Sequence, residues 1–412
     1  MNRLYKFLLK IYRSRFLHIV TNTLKVMFPI IVIGSFAQVI KFSFLRPDGF
    51  ISSTLGSNHW LPSIVITQLT WMMGMIYHAS IDMIALLAAI AMSHYTVKEY
   101  DREFKGGAIA GGFAFFVLSC RPLDNGGFTY DHYLMANGMF IAIIIGYLSG
   151  RILLKFNNSY KNGKKRSIIL ALTLIAIGCA ILNLGFGLLE NLQLPTYISS
   201  YVTSHSSSQS LGYVLGMGFL TDALAWIAMG GPFIEHPTFT DTASWANLQH
   251  ALQTHSAYNA TYPFTSTTLF HSYANFGGSG VTLALIIAIF IFSKRKDYRT
   301  VCKWSIFPAI FNNHYPMMLG IPILYNPIYF IPFVLAPLVN MGIAAIFMIM
   351  NLVPAAVYPV PLGTPGPLIA FIGTGGNWGA LLLGTGLIIL DVFIYLPFVK
   401  IADNLKSKAG EM

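Results

Sequence analysis

Asn312, Asn313 and His314 stand side by side at the head of an apolar stretch, Phe311 to Asn340, that reads FNNHYPMMLGIPILYNPIYFIPFVLAPLVN. Two amides and an imidazole in succession can hold hydroxyl groups, and an imidazole can also trade a proton near neutrality. Pro316, Pro322, Pro327, Pro332 and Pro337 punctuate the rest of the stretch, together with Asn326 and Asn340. Between Trp304 and Val399 there is no Lys or Arg. A stretch this apolar suits a bilayer, yet Pro and Asn leave backbone and amide groups that need partners where water is absent. Broken backbone at that depth is tolerated where it lines a polar cavity, and transporters build solute sites that way. A kinked structural helix with a proline-rich loop is the competing reading.

Other polar groups are few enough to weigh singly. Gly277, Gly278, Ser279 and Gly280 precede an apolar run. Free N–H groups at a helix start can contact hydroxyls or a phosphate, and glycines there also serve close packing. Asp222 lies four residues before Trp226, so one helix face would present a carboxylate and an indole. Asp82 lies four residues after His78, a spacing that reads as a structural pair. Asp391 precedes Lys400 by nine residues, about 13 Å inside the helix end, and the residues alone assign it no role. His236, His250, His255 and His271 have no zinc-like spacing and no cysteine or acid cluster beside them, so a polar loop or re-entrant hairpin is expected. His271, six residues before the glycines, is the one expected to reach a cavity. Thr364, Asn377 and Trp378 lie in TPGPLIAFIGTGGNW. A sugar site needs fixed amide or hydroxyl partners and an aromatic platform, and these residues supply those types. Trp378 reads equally as an interfacial anchor.

The elements that must position these groups can be read from composition. Fifty-five per cent apolar and 10% charged residues, with mean hydropathy +0.62, describe a polytopic membrane protein. A chain of 412 residues has room for about ten spans. The net charge of +11 gathers in clusters at span ends, which explains it without nucleic acid. Five basic clusters, at Arg3 to Arg15, Lys98 to Lys105, Arg151 to Arg166, Lys294 to Lys303 and Lys400 to Lys408, place both termini in the cytoplasm under the positive-inside rule. Spans are expected near 19–42, 63–93 (long, with a break), 104–120, 134–156, 167–192, 210–230 and 280–293. A broken region at 306–350, a re-entrant piece at 366–375 and a span at 379–399 complete the set. The first residues carry no cleavage pattern and read as an interfacial helix with Leu4, Phe7, Leu8 and Ile11 on one face. Cys120, Cys179 and Cys302 form no motif. No Walker loop, metal-ligand spacing or Rossmann glycine pattern is present, so no cofactor or metal is expected.

The broken segment resembles the signature F-N-I-N-E-P-x-x-x-G-x-P-I-x-x-N-P of the sugar-transporting membrane subunit, enzyme IIC, of the bacterial phosphotransferase system, in its lactose, cellobiose and diacetylchitobiose branch. Phe311, Asn312, Pro316, Gly320, Pro322, Ile323, Asn326 and Pro327 match, and Ile331 to Asn340 is similar to the family's next run, FIPF-x-L-A-P-L-x-N. FPIIVIGSF from Phe28, NGMFIAIIIGYLSGRI from Asn137, GGSGVTLALIIA from Gly277 and YLPFVK from Tyr395 also look like family stretches, so the resemblance spans about Arg13 to Lys400. Two positions depart from it. The family's glutamate, partner of the sugar hydroxyl to be phosphorylated, falls on Tyr315, and its preceding Asn on His314. A W-F-F-G-I-H-G motif aligns with WIAMGGP from Trp226, putting its histidine on Gly231. Tyrosine, with a pKa of about 10 against about 4.3 for Glu, cannot replace a carboxylate as base near neutral pH. His314 is the group that could stand in.

The resemblance implies an all-α membrane fold of about ten helices plus re-entrant hairpins in a bacterial cell membrane. Residues 1–200 would form a dimerisation half and 201–412 a solute-binding half. The implied function is a permease moving a disaccharide-like sugar for phosphorylation by a separate enzyme IIB. The implied partners are that sugar, membrane lipid, enzyme IIB and a second copy of the chain. The expected site comprises Asn312, Asn313, His314, Tyr315, the Gly277–Gly280 segment, Asp222, Trp226, His271, Thr364, Asn377 and Trp378, with His314 as the candidate catalytic group. A divergent relative that binds or moves a glycan-like solute without phosphorylation, or serves as a receptor or assembly partner, is the alternative.

Overall fold

The computed structural model describes residues 14–56, 60–100, 106–122, 127–130, 136–161, 168–191, 210–233 and 242–408. The expected interfacial face at Leu4, Phe7, Leu8 and Ile11, and His236, lie outside them. In chain order the helices are α1 (Arg15–Val39, continued by a π-helical turn, Ile40–Leu45), α2 (Phe50–Leu55), α3 (Ser63–Ser80), α4 (Ile84–Tyr100) and α5 (Gly107–Ser119). A short antiparallel pair, β1 (Arg121–Pro122) and β2 (Phe128–Thr129), precedes α6 (Met139–Lys161), α7 (Ile168–Asn191), α8 (Leu211–Trp226) and α9 (Thr242–Thr254). After a π-helix (Ser266–Ala274) come α10 (Thr282–Phe292), α11 (Lys296–Ile310), α12 (Tyr315–Gly320), α13 (Pro327–Ile349), α14 (Gly366–Gly373) and α15 (Trp378–Lys408).

Among the described residues seven stretches are long and apolar enough to cross a membrane: Arg15–Leu45, Ser63–Tyr100, Ala136–Asn157, Ile168–Leu188, Ser266–Phe292, Pro327–Ile349 and Trp378–Leu405. The fold is mostly helical, as expected, and these seven, counted among the described residues, stand beside an expectation of about ten. α5, with 13 residues, is about 20 Å long and α8, with 16, about 24 Å, both short of a hydrocarbon core of roughly 30 Å. The β1–β2 pair is a small departure from an all-α chain. The expected break in the second span is a turn at residues 81–83, where α3 gives way to α4.

The chain forms two compact units. The first takes Met1–Ile31, His78–Ser204 and Ile227–Met229. Its centre is α4, whose small residues receive α5 and α6. A Cβ on Gly111 would run into the carbonyl of Ala89 and the Ser93 side chain, and one on Gly146 would lie 2.7 Å from that same carbonyl. Helices in lipid gain no hydrophobic drive from one another, so small residues that let backbones approach supply the packing instead. At one end Arg151 lies over the Tyr100 ring at 4.3 Å, a cation–π contact. The expected His78–Asp82 pair is present as an ion pair one turn apart.

The second unit takes Val32–Tyr77, His205–Trp226 and Gly230–Met412. Here helices are repeatedly interrupted. The π-helix starts with a reciprocal cap: Thr268 N–H donates to Thr265 Oγ1 at 3.0 Å and Thr265 N–H to Thr268 Oγ1 at 2.7 Å. Asn326 caps α13 by accepting from Ile328 N–H, and Pro327 takes the first helical position, where its missing N–H costs nothing. Cys179 and Cys302 are buried free thiols, one in each unit.

Candidate functional site

Three interruptions meet in the second unit. The first is the turn from the π-helix into α10, where Gly277, Gly278 and Gly280 have φ of +83°, +94° and +69°. At Gly278 the missing side chain matters directly, because a Cβ would fall on the His314 ring. At Gly280 it would fall on the ring of Phe333 in α13. The second interruption is Phe311–His314 between α11 and α12, with Asn312 at φ +60°. The third is the loop before α14 that carries Thr364.

Asn312 joins all three. Its Oδ1 accepts from Gly277 N–H and its Nδ2 donates to the Thr364 carbonyl, each at 2.9 Å. Thr364 is itself buried, its hydroxyl donating to the Pro361 carbonyl at 2.7 Å. His314 is buried with its ring against Gly278, and its centroid lies 4.5 Å from that of half-buried Tyr315. Asn313 turns to α1 instead. Its Nδ2 donates to Gln38 Oε1 at 2.6 Å, and its Oδ1 accepts from Ser35 Oγ and from Tyr315 N–H. Its amide therefore holds the bend in place.

Asp222 is buried, and its Oδ1 accepts from Gly280 N–H at 3.1 Å. The Gly280 carbonyl accepts from the Tyr395 hydroxyl, so Gly280 is held on both sides by side chains of α8 and α15. Trp226, one turn after Asp222, packs on Phe330 at 4.9 Å and on Tyr325, and its Nε1 donates to the Asn326 carbonyl. His271 is buried inside the π-helix, with its ring edge-on to Phe270. Helices of this kind occur mostly as single turns and often at functional sites. Asn377 accepts from Ala380 N–H and donates to the Tyr258 hydroxyl. Trp378 is 70% exposed and packs on Phe371. These two residues thus have partners other than the glycine turn. Gly231 packs its backbone against Thr221, with no room for a Cβ. No group of three or more His, Cys, Asp or Glu able to hold a metal occurs among the described residues.

Sequence reasoning brought together Asn312, His314, Gly277–Gly280 and Asp222, and it missed Ser35, Gln38, Asn340 and Tyr395. Gln38 had the clearest signal, as the one amide in the uncharged run between Lys25 and Lys41. Tyr395 lay in the YLPFVK motif without an assigned role.

Residues 21–337 match the family model described as phosphotransferase system, EIIC. Among curated proteins, the chain is 43% identical over 136 residues to the "PTS system cellobiose-specific EIIC component" of Lactococcus lactis, covering 33% of this chain and 28% of the relative. It is 33% identical over 184 residues to the "PTS system lactose-specific EIICB component" of Staphylococcus aureus, covering 44% of this chain and 32% of the relative. The matched stretches thus span about a third of the relatives' lengths. A solved structure of the transporter ChbC, the IIC component from the N,N'-diacetylchitobiose-specific phosphotransferase system, covers 98% of this chain and 97% of its own, at 20% identity and a TM-score of 0.44. With the family model matched over most of its length and seven apolar helices able to cross a membrane, this chain belongs to the integral-membrane EIIC family of the phosphotransferase system.

Proposed function

We propose that the chain is the permease subunit of a phosphotransferase-type sugar uptake system, moving a disaccharide-like sugar inward for phosphorylation by a separate enzyme IIB. The observation that carries this reading is Asn312, which hydrogen-bonds the glycine turn and the Thr364 loop into one polar site and leaves His314 packed on Gly278. A sugar needs fixed polar groups on a rigid frame, and this arrangement supplies one within an apolar unit. His314 and Tyr315 face the sugar in this reading, Asp222 and Trp226 shape the wall beyond Gly280, and His271 supports it. Thr364 supplies the remaining wall, while Asn377 and Trp378, bonded to Tyr258 and packed on Phe371, stand outside it. The protein works as a homodimer in the bacterial plasma membrane, joined through its N-terminal half, with both termini on the cytoplasmic side where enzyme IIB delivers phosphate.

A second reading has its own observation. Aligned on the family signature by resemblance, Tyr315 falls where that signature has glutamate and Gly231 where it has histidine, and on this reading a sugar is bound and moved without a carboxylate to take its hydroxyl proton. Vesicles carrying the purified protein, labelled cellobiose, lactose or diacetylchitobiose, and phosphorylated enzyme IIB separate the two. Sugar exchange with little phosphosugar, and a gain of phosphosugar in Tyr315→Glu, would support the second reading. Rapid phosphosugar accumulation that survives His314→Ala would show that the site keeps its chemistry by another route. No exchange of any glycoside would sink both.

A further inference from the structure

Asn340 in α13 and Asp391 in α15 have no exposed surface. Asn340 Nδ2 donates to Asp391 Oδ2 at 2.8 Å, and that bond leaves Asn340 Oδ1 and Asp391 Oδ1 buried with no hydrogen-bond partner among the described residues. With Asp391 ionised, both orphans are acceptors and neither can serve the other. A proton on Asp391 Oδ1 makes that atom a donor and gives Asn340 Oδ1 the partner it lacks, as in the paired hydrogen bonds of an amide and a carboxylic acid.

Among the described residues no Lys or Arg lies on the helices packed on this pair; α13 packs on α8, which carries Tyr213 and Asp222, and on the π-helix, which carries His271 and Tyr273. α10 and α14 carry no titratable side chain, and α13 carries only Tyr329. On α15 itself, up to Leu405, the other titratable groups are Tyr395, Lys400 and Asp403. Lys400 lies over Phe292, Asp403 accepts from Ser293, and the Tyr395 hydroxyl is given to Gly280. Across that glycine sits Asp222, whose Oδ2 is also buried and unpartnered among the described residues. Asp391 stands one turn before Tyr395 on α15, and the hydrogen-bonded line Tyr395–Gly280–Asp222 ends at the turn whose Gly278 packs on His314.

We propose that Asn340 and Asp391 form a proton-binding site, distinct from the sugar contacts, whose occupancy is tied through Tyr395 and Gly280 to the glycine turn, so that sugar movement carries a proton. The proton enters from water on one side of the membrane and leaves to water on the other. The proton site stands on the buried pair alone, and its coupling to sugar rests on the permease reading above. Two measurements on the full-length protein separate these. Infrared spectra of the purified protein in light and heavy water should contain a buried protonated-carboxyl band that shifts with deuteration and disappears in Asp391→Asn. A spectrum in which that variant removes no such band overturns the proton site whatever the sugar does. In vesicles, an imposed pH gradient should drive uptake of a labelled glycoside above its level in counterflow, and Asp391→Asn should bring the ratio of gradient-driven uptake to counterflow down to one. Counterflow without any gradient response in the unmodified protein, or an unchanged ratio in Asp391→Asn, overturns the coupling. Accumulation driven by a sodium gradient and not by pH would put a metal cation where the proton is assigned, and would also overturn it. If the band is present and no glycoside exchanges, the permease reading fails while the proton site stands.

Discussion

The two units solve the problem of burying a chain in lipid by opposite means. In the first, α4, α5 and α6 run without internal interruption and meet through glycine, alanine and serine, so contact is made backbone to backbone. In the second, backbone is broken at Gly277–Val281, at Phe311–His314 and before α14, and side chains repair the breaks: Asn312, Asn313, Asp222, Tyr395 and Asn326 each take a backbone group or an amide. Packing by small residues makes a unit that can only be tight or loose. Repair by polar side chains makes a unit whose interior presents directed groups, and a solute can use those. The contrast predicts that damage to the first unit is read in stability and damage to the second in solute handling.

Four substitutions test that contrast, beginning with the most severe. Gly278→Val places a side chain at φ +94° and onto the His314 ring. Strain of about 1–3 kcal/mol plus the displaced ring should abolish glycoside counterflow while the protein still inserts and elutes as the unmodified form does. Retained counterflow would remove the glycine turn from the site. Asn312→Ala leaves Gly277 N–H and the Thr364 carbonyl without their partner, at about 1–3 kcal/mol for each buried group. Apparent sugar affinity should fall roughly tenfold to a hundredfold in equilibrium binding, since about 1.4 kcal/mol is one decade. Gly146→Ala, in the first unit, presses on the Ala89 carbonyl and should cost about 1–3 kcal/mol of stability in detergent melting, with sugar affinity held. A loss of affinity larger than that of Asn312→Ala would erase the contrast. Glu99→Gln removes the half-buried partner of His18 and should change melting by no more than about 1 kcal/mol.

Much of the second unit was legible because proline, glycine and asparagine act locally. A Pro cannot continue the hydrogen-bond ladder and a glycine turn permits positive φ, so the breaks near Gly277 and Asn312 were expected from the residues. That Asn312 and the glycine turn lie together was expected from the family resemblance, which implies that both belong to the sugar site. What stayed hidden is contact between distant positions. Nothing in the neighbourhood of Asn313 says that its amide turns to Gln38, and nothing around Tyr395 names the Gly280 carbonyl. Span lengths were legible only in part. Arg121 and Pro122 follow α5 closely, so its end was legible, but the helix begins only at Gly107 and its 13 residues fall short of a bilayer crossing.

The bond from Asn313 to Gln38 also fixes an order of events during synthesis. Gln38 and Ser35 leave the ribosome 275 and 278 residues ahead of the amide that holds them. At about 5–20 residues per second, that gap is on the order of tens of seconds. Over that interval α4, α5 and α6 are all made and can pack with close neighbours in the chain. The two polar groups of α1 have to spend the wait on provisional partners, such as water at the insertion channel or lipid head groups, because bare lipid offers them none. A nascent chain halted before Asn313 should therefore contain a packed first unit and an N-terminal helix that still exposes Ser35 and Gln38 to water-borne labels. That accessibility should vanish once the chain has passed Asn313, which makes the polar end of α1 a timer for completion of the site.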